Sequence, residues 1–124
     1  MKTKILIIED NEQNMYMLKY LLESENYEVF QAYNGTAGIT AAKNNKPDII
    51  LLDIQLPEMD GYTVAIKLKE DEELKRIPII TVTSYAMPGD REKAIASGAI
   101  GYIEKPINPD TFISQMESFL KMES

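Results

Sequence analysis

The sequence predicts an α/β protein, a doubly wound (βα)5 three-layer sandwich around a five-stranded parallel sheet. Three observations predict it. Apolar runs of strand length alternate five times with segments of helical period. The runs are largely continuous rather than alternating, as strands covered on both faces require. No long linker or low-complexity tract interrupts them, so the chain reads as one domain, 1–124.

Taken in order, "KILIIE" (4–9) is the first buried strand, and "NEQNMYMLKYLLESEN" repeats Met15, Leu18, Leu21 and Leu22 at helical spacing. "EVFQAY" (28–33) is a second strand, closed by the turn-prone Asn34-Gly35, and "TAGITAAKNN" is a short helix of small residues. "DIILLD" is the third strand, and the helix after Gly61 is expected to turn Tyr62, Ala65 and Ile66 inward. "PIITVTS" (78–84) is the fourth strand, followed by a weakly apolar helix near 88–98, and "IGYIE" (100–104) is the fifth. In the last helix Asn108 is the expected N-cap and Pro109 the first helical residue, with Phe112, Ile113, Met116, Phe119 and Leu120 in one stripe. The strand order 2-1-3-4-5 of flavodoxin-like sheets suits five such units. It places a site at the carboxyl ends of the strands, around the point where the winding reverses.

Composition narrows the chemistry. The chain is 44% hydrophobic and 27% charged, as globular proteins are, and its net charge of −7 argues against a nucleic-acid surface. Without cysteine there is no disulfide, thiolate metal site or thiol nucleophile. Without histidine the usual general base and transition-metal ligand are missing, and no phosphohistidine relay can run within the chain. Any metal it holds must be hard and oxygen-bound. No apolar run approaches the length of a membrane span, and "MKTKILIIEDN" turns acidic too early for a signal peptide, so a cytoplasmic protein without membrane insertion is expected.

The strand ends hold the chemistry. The first strand finishes in Glu9-Asp10, the third in Asp53, the fourth in Thr83-Ser84, and the fifth leads into Lys105-Pro106. In a parallel sheet these ends point one way, and the first and third strands are neighbours in the expected order. Two unit charges ~5 Å apart at an effective dielectric of ~20 repel by ~3 kcal/mol, so three gathered carboxylates call for a cation. Lys105 supplies one charge and a divalent ion would supply two more. Asp53 then stands where a carboxylate could act as nucleophile and carry a phosphoryl group.

In this order and spacing, "IIEDN", "LLDIQLPEMDG", "TVTSYAM" and "YIEKPI" resemble the receiver (CheY-like) domain of two-component response regulators, over nearly the whole chain. Within it, "IEDNEQNM" and the lack of an output domain look similar to stand-alone DivK-type regulators. The resemblance implies that Asp53 is the phosphoacceptor. It also implies Mg²⁺ bound by Asp10, Asp53 and the backbone carbonyl of Gln55, with Glu9 acting largely through water. Thr83 and Tyr102 match the switch pair, and Lys105 matches the lysine that contacts the phosphoryl group. Pro57, Gly61 and Pro106 set loop geometry, Gly61 as a turn residue without chemistry of its own, and the Lys105-Pro106 bond is expected to be cis. Gln55 and Tyr85 flank the approach of hydrolytic water.

The implied function is phosphorylation of Asp53 by a sensor histidine kinase or histidine phosphotransfer protein. It switches the face formed by helix four, strand five and helix five toward a downstream effector protein. The weakly amphipathic "GDREKAIASG" suits a helix that can shift at small packing cost. The molecule is expected as a monomer or weak dimer, and as a phosphoacceptor rather than an enzyme. Two alternatives meet obstacles. A haloacid-dehalogenase-like phosphatase needs an acid two residues after its nucleophile, where Gln55 stands, and the chain has no cap insertion. A flavodoxin-like electron carrier needs a Ser/Thr/Gly-rich phosphate loop after the first strand, where "EDNEQN" is acidic. A pseudo-receiver that binds partners without phosphorylation stays open.

Overall fold

Runs such as "KILII" and "IITVT" are rich in β-branched residues, which suit a pleated strand, and they have too few polar positions to leave either face in water. In the computed structural model, which describes residues 2–84 and 88–123 (the side chains of Met122 and Glu123 excepted), every expected strand and helix is present. They run β1 (Lys4–Ile8), α1 (Glu12–Ser24), β2 (Glu28–Ala32), α2 (Gly35–Asn45), β3 (Ile49–Asp53), α3 (Gly61–Glu70), β4 (Ile79–Thr83), α4 (Asp90–Ala96), β5 (Gly101–Glu104) and α5 (Phe112–Glu123). The strands form one parallel sheet in the order β2-β1-β3-β4-β5, as the sequence predicts.

Alternate residues of the central strands feed two cores. Leu6, Ile8, Ile50, Leu52 and Ile79 pack on the side of Val64, Ala65, Leu68 and Ala94 from α3 and α4. Ile5, Ile7, Ile49, Leu51, Ile80 and Val82 pack on the side of Met15, Leu18 and Leu22 of α1 and Phe112 and Met116 of α5. All five residues of β3 and of β4 are buried, Asp53 and Thr83 included. The register sets Ile8 beside Leu52, Asp53 beside Val82, and Thr83 beside Glu104, so the ends of β1, β3, β4 and β5 lie nearly level.

Three helices begin with one device. Asn11, Asn34 and Asp60 sit in extended backbone, and each side chain accepts the N–H three residues on, at 2.9, 2.8 and 2.9 Å. Such a cap satisfies a donor that the helix cannot and contributes about 1 kcal/mol.

Two expectations need correction. Ile66 does not turn inward: it is 47% exposed, while Val64 and Leu68 are buried with Ala65. Tyr62 and Ile66 lie four residues apart on one side of α3, and Gly61, Ala65 and Leu68 line the adjacent side. Helical spacing marks both stripes, and the close approach of Gly61 to β3 decides which faces the sheet. Nor does α5 begin at Pro109. Asn108 does cap, its side chain accepting Asp110 N–H (2.9 Å) and its carbonyl Thr111 and Phe112 N–H, but residues 109–111 form a turn and the helix proper starts at Phe112. The strands also stop one residue short of their expected ends at Glu9, Tyr33 and Ser84.

Candidate functional site

Strand pairing continues just past β1: Glu9 N–H donates to the Ala32 carbonyl at 3.0 Å, and the Glu9 side chain is buried. One of its oxygens accepts Asn11 N–H (3.0 Å) and the other the Lys105 ammonium (2.7 Å). Asp10, the next residue, is exposed. From the neighbouring strand comes Asp53, 3% exposed, whose Oδ1 accepts Gln55 N–H (3.1 Å) and whose Oδ2 lies 3.4 Å from Lys105 Nζ. Carboxylate oxygens of Glu9, Asp10 and Asp53 lie within 4.8 Å of one another.

Lys105 reaches this cluster from beyond β5. Its N–H donates to the Thr83 carbonyl at 2.7 Å, which ties its backbone to the end of β4, and its peptide bond to Pro106 is cis. Its side chain is nearly buried, so its attraction to the two buried acids is poorly screened. The pKa of Asp53 is pushed up to about 7: burial contributes most, then the charge of Glu9, while Lys105 and the Gln55 N–H pull it back down. Three carboxyls whose oxygens lie this close form an all-oxygen donor set, which fits a hard divalent cation.

The turn after Asp53 is built tightly. The Pro57 carbonyl accepts Met59 N–H (2.7 Å) and Glu58 takes a left-handed φ of 66°. Gly61 N–H donates to the Ile54 carbonyl (2.9 Å), and a Cβ on Gly61 would lie 2.4 Å from the Asp53 carbonyl oxygen. Gly61 is therefore more than a turn residue, since only glycine lets α3 start against the backbone of the central aspartate. That contact spans seven residues of irregular chain, 54–60, which composition does not reveal.

Thr83 is buried, and its hydroxyl accepts the side-chain amide of Gln55 at 2.7 Å. The other end of that amide accepts Ser84 N–H at 3.3 Å and lies 3.5 Å from the Ser84 hydroxyl. The resemblance assigns Gln55 a metal-binding carbonyl and a place beside the hydrolytic water but not this side-chain bridge, which joins residues 28 and 29 positions apart. Tyr102 is half-buried on the α3/α4 side of the sheet, two residues before Glu104, the partner of Thr83 in the sheet register. Its phenol is raised by burial, then by Asp90 and Glu104. Tyr62 packs partly buried against the core, as expected, but two of its contacts were not foreseen: its hydroxyl donates to the Asp90 carbonyl (3.4 Å), and Lys93 Nζ lies 4.8 Å from its ring centre. Tyr85 lies outside the described residues.

Residues 5–117 match the family described as the response regulator receiver domain. This chain belongs to that family. It is 43% identical over 120 residues to the polar-differentiation response regulator DivK of Brucella anthropi, covering 97% of this chain and 98% of the relative, and matches DivK of Brucella ovis to the same extent. Among solved structures it is similar to the chemotaxis protein CheY4 of Vibrio cholerae, with a TM-score of 0.91 at 26% identity over 96% of this chain and 99% of that one. The receiver domain of sensor histidine kinase PA1611 from Pseudomonas aeruginosa, solved with a magnesium ion in its active-site cleft, gives 0.87 at 30% identity over 98% and 99%. The protein is thus a DivK-like receiver of two-component signalling. Among the described residues no helix is long and apolar enough to cross a membrane.

Proposed function

We propose that this receiver takes a phosphoryl group onto the Asp53 carboxylate from a phosphohistidine of a sensor histidine kinase or histidine phosphotransfer protein. The observation that carries the reading is the gathering of Glu9, Asp10 and Asp53 from two adjacent strands around one nearly buried ammonium. An Asp53 oxygen attacks phosphorus, the P–N bond to the donor imidazole breaks, and the imidazole leaves with the bonding electrons and takes up a proton. The donor must come from outside, because this chain has no histidine.

Asp10, Asp53 and the Gln55 carbonyl would hold Mg²⁺, with Glu9 acting through water, and the PA1611 receiver with its magnesium ion supports the choice of metal. When bound, the ion supplies the positive charge that lets Asp53 ionise and the phosphoryl oxygens approach. Lys105 pairs with a phosphoryl oxygen, and the Thr83 hydroxyl donates to another. As Thr83 moves in, Tyr102 turns into the vacated space, and the α4-β5-α5 face changes its preference for an effector protein. The energy of the switch is the difference in contacts between the two states. In this reading the receiver is a cytoplasmic phosphoacceptor, a monomer or weak dimer, rather than a turnover enzyme.

Acetyl phosphate with Mg²⁺ should label the parent to about one phosphoryl group per chain as an acid-stable, alkali-labile acyl phosphate, and chelation of Mg²⁺ should stop it. Asp53→Ala should remove the label. Stoichiometric labelling of Asp53→Ala would overturn the assignment.

A further inference from the structure

We infer that the Gln55 side chain is a latch that holds Thr83 in its resting position and so sets how readily the receiver switches. The inference rests on the reading of Asp53 as phosphoacceptor and goes beyond it, because no step of phosphoryl transfer uses this side chain.

Gln55 touches both ends of the switch. Its main-chain N–H lies on Asp53 Oδ1 at 3.1 Å. Its side-chain Nε2 donates to Thr83 Oγ1 at 2.7 Å, and its Oε1 accepts Ser84 N–H at 3.3 Å. The Ser84 N–H can only donate, so it fixes which end of the amide is oxygen and leaves the NH₂ facing Thr83. Thr83 itself is 1% exposed, so water cannot readily replace this donor. Carrying the Thr83 hydroxyl to a phosphoryl group on Asp53 stretches or breaks the hydrogen bond it accepts from the Gln55 amide. The same amide accepts Ser84 N–H, so its release loosens Thr83 and Ser84 together. Gln55 is a positioning residue: it acts through Thr83 and Ser84.

The test uses trifluoroberyllate, BeF₃⁻, an unreactive mimic of the phosphoryl group, titrated at saturating Mg²⁺ with the Thr83 and Ser84 amides followed by NMR. Gln55→Met removes the amide while keeping side-chain length and the main-chain carbonyl, and saturating Mg²⁺ keeps the metal site filled in both proteins. BeF₃⁻ affinity should tighten about fivefold, the effect one neutral hydrogen bond sets. The free-state Thr83 and Ser84 resonances should move toward their bound positions. Gln55→Leu should repeat the result, and in a Thr83→Ala background Gln55→Met should no longer tighten binding. If the parent does not bind BeF₃⁻ with Mg²⁺, the acceptor site falls and the latch falls with it. If the parent binds and Gln55→Met leaves the affinity unchanged, or tightens it equally in the Thr83→Ala background, the latch alone is overturned.

Discussion

Two adjacent strand–helix arms, β3–α3 and β4–α4, begin alike and end differently. Both strands are wholly buried and both finish in a polar residue of the site. The chain leaving β3 is held firmly. Gly61 packs on the Asp53 carbonyl, Asp60 caps α3, and Val64, Ala65 and Leu68 anchor the ten-residue helix with no exposure. The hold on α4 is slighter. The helix has seven residues, its cap Gly89 has a φ of 91° and no side-chain cap bond, and Ala94 alone among them is buried while Ile95 is 50% exposed. A buried alanine contributes little apolar area against Val64 and Leu68 of α3. The comparison teaches that the residue needing an exact position stands on the rigid arm, and the element suited to move lies on the weakly held one.

The strongest way to break that contrast is to disturb the rigid arm at its tightest point. Gly61→Ala drives a methyl group against a backbone carbonyl that cannot yield as a side chain could. It should cost about 3 kcal/mol by urea denaturation and lower the rate of acetyl phosphate labelling about 10²-fold through displacement of Asp53.

A second effect comes from the charge that the rigid arm buries. The folded Asp53 pKa of about 7 lies above the unfolded value of about 4. The folded protein therefore binds this proton more tightly, and the stability it confers is fully present below about pH 4 and lost as pH rises through 7. Asp53→Asn cannot ionise. Without metal, its stability should match the parent's pH trend below about pH 4, gain on the parent between about pH 4 and 7, and hold a constant advantage above that. Thermal unfolding across this range in chelator checks it, and parallel curves for the two proteins would contradict it.

The same contrast separates what was legible in the sequence from what was not. Continuous runs such as Ile5–Ile8 and Ile49–Leu52 can be covered only by helices on both faces, so the layers were legible, while the strand order came from the known arrangement of such sheets. Glu9, Asp10, Asp53 and Lys105 were legible as a group because each stands where an apolar run stops, and parallel strands bring those stops together. Ile66 was misread because α3 carries two apolar stripes and periodicity cannot rank them. The Gln55 bridge to Thr83 and the Tyr62 contact with Asp90 left no local trace, since each joins side chain to neighbour across 28 residues of chain.

Two smaller substitutions sharpen the comparison. Asp60→Ala removes the side-chain acceptor of Thr63 N–H and should cost about 1 kcal/mol, with faster hydrogen exchange confined to the first turn of α3. Tyr62→Phe removes a long hydrogen bond to the Asp90 carbonyl and should cost less than about 0.5 kcal/mol overall. It should nevertheless speed hydrogen exchange in the first described turns of α4 while leaving α3 unchanged, because it cuts a tie from the firm arm to the loose one.

The outermost strands carry a further consequence. β2 presents exposed Glu28 and Gln31, and β5, only four residues long, ends in exposed Glu104. A second molecule adding a strand to either border would bring carboxylates of one sign together on chains that already carry a net charge of −7. The polar margins thus guard an unusually apolar sheet interior against edge-to-edge aggregation.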